Sequence, residues 1–145
     1  MLNRKKNNKG FTLVELLVVI AIIGILAVVA VPALFSNINK AKVADLEADY
    51  SAFKSAALSY YADNNVTTTS KEELGEYMES VPTKDPFGGT YELIDNGTKL
   101  ELRATAGGRF KDGTKELEKL EKDLGENIVE NDNTNGYVTI TLISN

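Results

Sequence analysis

Residues 16–35 of this 145-residue chain carry no charged side chain, and most of them are Val, Ile, Leu or Ala. Taken from Phe11, the apolar stretch reaches about 37 Å at ~1.5 Å of helical rise per residue, against a bilayer core of about 30 Å. Residues 1–9 form a tail with Arg4, Lys5, Lys6 and Lys9. A basic tail before an apolar span predicts that the tail stays in the cytoplasm and the rest lies outside. Glu15 breaks the simple pattern, since a carboxylate in hydrocarbon costs several kcal/mol unless it finds a partner. A secretory signal peptide has an apolar core of only about 7–15 residues, followed by a small-residue cleavage site. This run is longer and passes into an amphipathic helix without a turn cluster. A plain signal anchor would leave Glu15 unexplained.

The residues Lys9-Gly10-Phe11-Thr12-Leu13-Val14-Glu15 resemble the class III signal of bacterial type IV pilins and of the related pseudopilins of type II secretion. The resemblance implies that a membrane peptidase, the prepilin peptidase, cuts between Gly10 and Phe11 and methylates the new Phe11 amine. It implies that Glu15 is needed for assembly into a helical filament. It also implies a stem in which Gly24 weakens the helix and Pro32 kinks it. The partners would then be further copies of the chain, the peptidase, an assembly platform in the inner membrane and, before assembly, the lipid bilayer. Read without the family, Pro32 removes one helical hydrogen bond and Gly24 costs about 1 kcal/mol relative to Ala. A mild kink in a membrane helix weighs about as much as a segment that melts in a filament.

The chain has no Cys and no His, which excludes disulfides, thiolate or imidazole chemistry and the common zinc sites. It thereby departs from many pilins, whose carboxyl-terminal loop is closed by a disulfide. Four of the 16 basic residues precede Phe11, so the part after Gly10 holds twelve against 21 acidic residues, a net of −9. An acidic head argues against a nucleic-acid partner, because phosphate binders concentrate positive charge. Solubility explains the acidic excess more simply.

After Ser36 the helix is expected to continue. Ile38, Leu46, Tyr50, Phe53, Ala57 and Tyr60 or Tyr61 form an apolar stripe at helical spacing, ending at Ala62-Asp63-Asn64-Asn65. Core packing is a simpler role for Tyr60 and Tyr61 than a binding platform. Ser70-Lys71-Glu72-Glu73 is a capping-box pattern that opens a short helix over residues 71–78, stopped by Val81-Pro82. Asp85-Pro86-Phe87-Gly88-Gly89 is turn chemistry, similar to a segment preceding the first head strand in this family. A calcium role for Asp85 is the weaker reading. Residues 91–94 and 99–103 alternate around Asn96-Gly97, a strong hairpin signal. Residues 112–124 predict a helix with Leu117, Leu120 and Leu124 on one face and Gly125 as its stop. Residues 127–136 are polar and loop-like, and residues 137–143 predict the final strand.

No phosphate loop, nucleophile elbow or metal-ligand cluster occurs, and the carboxylate pairs Glu72/Glu73 and Glu116/Glu118 fall on expected surface helices. The expectation is a non-enzyme without metal or cofactor. The expected fold class is α+β and pilin-like. A long N-terminal helix, membrane-spanning in its first half and amphipathic in its second, packs on a small antiparallel sheet of three or four strands. The expected parts are a cleaved leader over residues 1–10, a stem over 11–35 and a head over 36–145. Before assembly the chain would be a single-pass membrane protein with its head outside, and afterwards part of a surface pilus. Three functions remain open: a pilus subunit for adhesion, motility or DNA uptake, a type II secretion pseudopilin, or a tethered extracellular binding module.

Overall fold

The computed structural model describes residues 10–111, 113–132 and 134–144. The basic tail, and Asp112 at the expected start of a helix, lie outside the described residues. Two compact units emerge, Met1–Ile38 and Asn39–Asn145. The longest element, α1, is Leu13–Asn64, an unbroken α-helix of 52 residues with Pro32 inside it. It stops where Asn65 turns left-handed at φ 56° while its N–H still reaches Tyr61 O at 2.8 Å. Asn tolerates that conformation better than most residues, so it serves as the helix stop.

In the second unit, α1 buries Val43, Leu46, Tyr50, Phe53, Ala56 and Ala57, spaced so that one face is covered along its length. The expected stripe is corrected at its start, and at its end the choice between Tyr60 and Tyr61 falls to Tyr60. Ile38 is 41% exposed, and Val43 takes the buried place at the start. Tyr61 is exposed and only Tyr60 packs against the core, its ring edge-on to Tyr77.

Opposite this face lies a four-stranded antiparallel sheet in the order β1-β2-β4-β3. Its strands are β1 Tyr91–Asp95, β2 Lys99–Ala104, β3 Ile128–Asn131 and β4 Val138–Ser144. Leu100, Leu102 and Ala104 of β2 and Val138, Ile140 and Leu142 of β4 supply the core side. Phe53 meets the ring of Tyr91 edge-on, with centroids 5.5 Å apart. The β1–β2 turn holds Gly97 at φ +83°, a conformation an L side chain resists. Asn96 closes it by accepting from the N–H groups of Thr98 and Lys99.

Two short helices fill the rest. The first, α2, is Lys71–Leu74, shorter than expected because the chain tightens into a 3-10 turn at Gly75–Tyr77. Ser70 caps it by accepting from the N–H of Glu73 at 3.3 Å. The second, α3, is Lys115–Leu124, starting after Thr114 as cap and burying Leu117 and Leu120. The polar stretch expected as a loop contains β3, an edge strand that pairs with β4 through its backbone. At four residues it is too short for an alternating pattern to stand out, so its pairing and not its side chains defines it. The following loop has no disulfide. Asp132 accepts from the N–H groups of Thr134 and Asn135, and Phe110 N–H donates to Gly136 O at 3.0 Å.

Candidate functional site

The site candidates gather on α1. Its first turn is closed by a reciprocal pair that the sequence reading passed over. Glu15 N–H donates to Thr12 Oγ1 at 3.2 Å, and Glu15 Oε2 accepts from Thr12 N–H at 2.8 Å. The Thr12 hydroxyl also donates to Oε2, at 3.0 Å. Thr12-Leu13-Val14-Glu15 is thus a capping box, and it satisfies donors that a helix start leaves open. The signal was in the sequence, since a Thr three residues before a Glu at the head of an apolar run is that pattern. The carboxylate is exposed, and only one of its oxygens is used in these bonds.

Downstream of Glu15 the apolar side chains of the first unit stay uncovered by the chain itself. Leu17, Ile20, Ile23, Leu26 and Val29 are each at least 59% exposed. A continuous exposed apolar surface of this length marks contact with lipid or with other chains. Gly24 has open space where a Cβ would stand, and both Gly24 and Pro32 lie in helical conformation within α1. In the second unit, the uncovered face of α1 carries Ala41, Ala44, Ala48, Ser51, Ser55 and Ala62, with Leu58 the one large side chain in the series, all exposed and at helical spacing. Such small side chains let another helix approach closely.

Away from α1, Asp85 is 3% exposed and wholly taken up by the backbone. Its Oδ1 accepts from Phe87 N–H at 2.8 Å and Gly89 N–H at 3.1 Å, and its Oδ2 from Ala106 N–H at 2.6 Å. This is a turn-and-clamp role. A Cβ on Gly89 would run into Asp85, Thr105 and Ala106, so the close approach requires glycine there. Among the described residues, no three metal-ligating side chains converge. Tyr91 is buried, its hydroxyl donating to Asp49 Oδ2 at 2.7 Å, and burial followed by that carboxylate pushes its pKa far above the usual tyrosine range. Lys119 bridges Glu47 and Asp123. Partial burial lifts the Glu47 carboxyl above its ordinary value, whereas Lys119 draws that of Asp123 below. Glu72 and Glu73 lie on α2, and Glu116 and Glu118 on α3, both in first turns at the surface of the head.

Comparison with known proteins decides the family. The family described as "Prokaryotic N-terminal methylation motif" matches residues 5–31, and "PilW, C-terminal" matches residues 37–106. The type II secretion system core protein G of Klebsiella michiganensis is 32% identical over 123 residues, covering 73% of this chain and 87% of that protein. The chain belongs to the type IV pilin and pseudopilin family. Core protein G of Aeromonas hydrophila is 33% identical, covering 65% of this chain and 78% of that protein. The solved structure of the major type IV pilin PilA1 from Clostridium difficile aligns with TM-score 0.59 and 37% identity. That alignment covers 75% of this chain and 99% of the other. These relatives are structural subunits, and membership brings processing by prepilin peptidase and homopolymeric assembly. The pilin-family chain is membrane-anchored through its apolar helix, with the head extracytoplasmic.

Proposed function

We propose that this chain is a structural subunit that polymerises through residues 11–35 into a filament, as the pilin of a type IV pilus serving adhesion, motility or DNA uptake. The observation that carries this reading is the exposed apolar helix with one carboxylate in its first turn. Cleavage between Gly10 and Phe11 would leave a methylated Phe11 amine four residues from Glu15. One Glu15 oxygen is bonded to Thr12, and the other is available to the Phe11 amine of a neighbouring copy. When stems pack and water leaves, an unpaired carboxylate is costly, whereas the pair sets the axial register of one stem against the next. Gly24 and Pro32 lower the cost of local unwinding between those contacts. The small-residue face of α1 in the head supports close packing of copies beyond the stem.

A second reading has its own support. Core protein G of several type II secretion systems resembles this chain over most of its length, so a pseudopilin in a short export filament fits at least as well. Material sheared from the cell surface distinguishes the two. Long filaments built mainly of this chain, with subunit mass matching a start at methylated Phe11, support the pilus. Their absence, together with an export defect in a deletion strain, supports the pseudopilin. Any other amino terminus counts against the processing site.

A further inference from the structure

The second unit carries twelve basic and twenty acidic residues, yet four of those twelve line one shallow depression between α1 and α3. The depression has a volume of about 410 Å³ and is lined by Lys40, Lys115, Lys119, Lys122, Glu118 and Asp123. The clustering follows from the periodicity of α3. At 3.6 residues per turn, Lys115, Lys119 and Lys122 fall within roughly 60° of one another around the helix, opposite Leu117, Leu120 and Leu124. Burying the leucine side therefore commits the lysine side to the surface. Two contacts tie α3 to the start of the head's stretch of α1: Asn39 Nδ2 donates to Glu116 Oε1 at 2.5 Å, and Lys119 Nζ reaches Glu47 at 3.3 Å.

The acids do not cancel the lysines evenly. Asp123 and Glu47 are both taken up by Lys119. Lys40, Lys115 and Lys122 make no hydrogen bond or ion pair within 4.0 Å among the described residues, and the lining acids that face them are Glu118 and Asp123, the latter already paired with Lys119. Three mobile ammonium groups on flexible stems suit phosphate oxygens, which they meet as point charges without a fixed geometry.

Position selects the source of that phosphate. Lys40 follows Phe35, the last residue of the uncharged run, by five residues. Five residues of chain span at most roughly 17 Å in any conformation. The polar headgroup layer adds about 5–8 Å on each side of the hydrocarbon, and attraction to its charge persists for a Debye length of about 8 Å. Lys40 is thus tethered close to the membrane surface by the chain itself, and Lys115, Lys119 and Lys122 line the same depression. We propose that Lys40, Lys115, Lys119 and Lys122 form a binding surface for the phosphates of anionic lipid headgroups, occupied while the subunit resides in the bilayer. The rest of the head, with its acidic excess, is repelled by the same surface, so the contact orients the head and has to be released on assembly.

The test uses the full chain reconstituted in two kinds of vesicle, phosphatidylcholine alone and phosphatidylcholine with roughly a quarter phosphatidylglycerol. Amine acylation of each lysine is followed by mass spectrometry, with exposed Lys84 and Lys99 as internal references. The expected result is a several-fold slowing at Lys40, Lys115 and Lys122 in the anionic vesicles alone, abolished by high salt. Lys115→Glu with Lys122→Glu should remove the lipid dependence at Lys40, and Lys115→Gln with Lys122→Gln should weaken it while leaving these surface positions uncharged. Equal acylation in both vesicles overturns the proposal. So does equal protection by inorganic phosphate in phosphatidylcholine vesicles, which would mean a free-ion site. Protection in phosphatidylcholine that grows with protein-to-lipid ratio would instead assign the surface to a second copy.

Discussion

The two stretches of α1 are built from the same kinds of apolar residue and meet opposite fates. Before Ile38 nothing is buried, whereas after Asn39 six residues of the same helix are sealed against the sheet. The difference lies in the intervening residues. In residues 16–35 apolar side chains occur all around the helix, so no single face can be satisfied by one sheet, and the helix needs an apolar environment on every side. From Lys40 onward, Lys, Asp and Glu return between the apolar positions and confine burial to one stripe. The head is thus stabilised within one chain, and the stem only by lipid or by other stems. Substitutions in the two stretches should therefore separate assembly from folding.

The largest effect is expected in the stem. Glu15→Ala should be inserted, cut and folded like the parent, yet give few or no filaments when it is the only copy in the cell. Glu15→Asp, one methylene shorter, should assemble partially. The capping box sharpens the comparison, because Thr12→Ala removes the cap at a cost of about 1 kcal/mol to the helix start but leaves the carboxylate in place. If Thr12→Ala blocks filaments as fully as Glu15→Ala, the cap and not the pairing charge explains the requirement. A normal filament yield from Glu15→Ala would return the stretch to a plain membrane anchor.

In the head the expectation reverses. Phe53 is fully buried and edge-on to Tyr91, so Phe53→Ala should cost roughly 3–5 kcal/mol. Denaturant unfolding of a soluble head beginning near Ser36 measures it. A cost below about 1 kcal/mol would mean that burial of this face is not what holds the helix to the sheet.

Long periodic segments were legible from sequence because their pattern repeats often enough to outvote local exceptions. The helix that became α1, the β1–β2 hairpin and β4 all have this character. What escaped was decided by backbone or by single contacts. The edge strand β3 is read from pairing with β4, which polar residues permit but do not announce. The end of α2 depends on Gly75, where helix propensity is low and Val81 lies 3.1 Å from where a Cβ would be. Val43 outranks Ile38 because burial begins only where the sheet and α3 are there to cover α1. At the site, Gly10, Phe11 and Glu15 are marked by a motif, whereas the role of Thr12 rests on a local capping contact with Glu15.

Asp85 gives an intermediate effect, confined to part of the head. Asp85→Ala strands the N–H groups of Phe87, Gly89 and Ala106, for about 2–3 kcal/mol once water partly replaces the carboxylate. The loss should appear as faster hydrogen exchange at Gly89 and Ala106 with little change along α1. Uniformly faster exchange through the core would mean that the clamp supports the whole head.

The smallest effect at neutral pH concerns Tyr91, and its value lies in its pH dependence. Tyr91→Phe keeps the ring against Phe53 but removes the hydroxyl that Asp49 accepts, at a cost of about 1 kcal/mol. In the unfolded chain a tyrosine ionises near pH 10, whereas burial and then Asp49 hold the folded Tyr91 proton well beyond that. A group whose folded pKa is raised contributes stability in full below its unfolded pKa and loses it as pH climbs above. Head stability should therefore fall from about pH 10 upward, with this one group supplying up to about 1.4 kcal/mol per pH unit. Tyr60 and Tyr77, whose pKa values are raised by Glu73 and Asp63, and Lys119, raised by Asp123, push the same way and remain in the variant. The informative quantity is thus the difference between parent and Tyr91→Phe unfolding free energies from about pH 9 to pH 11. The parent should begin more stable and converge on the variant as pH rises, then cross it. Parallel curves would mean that Tyr91 ionises as easily in the folded head as outside it, and that the Asp49 bond does not hold its proton.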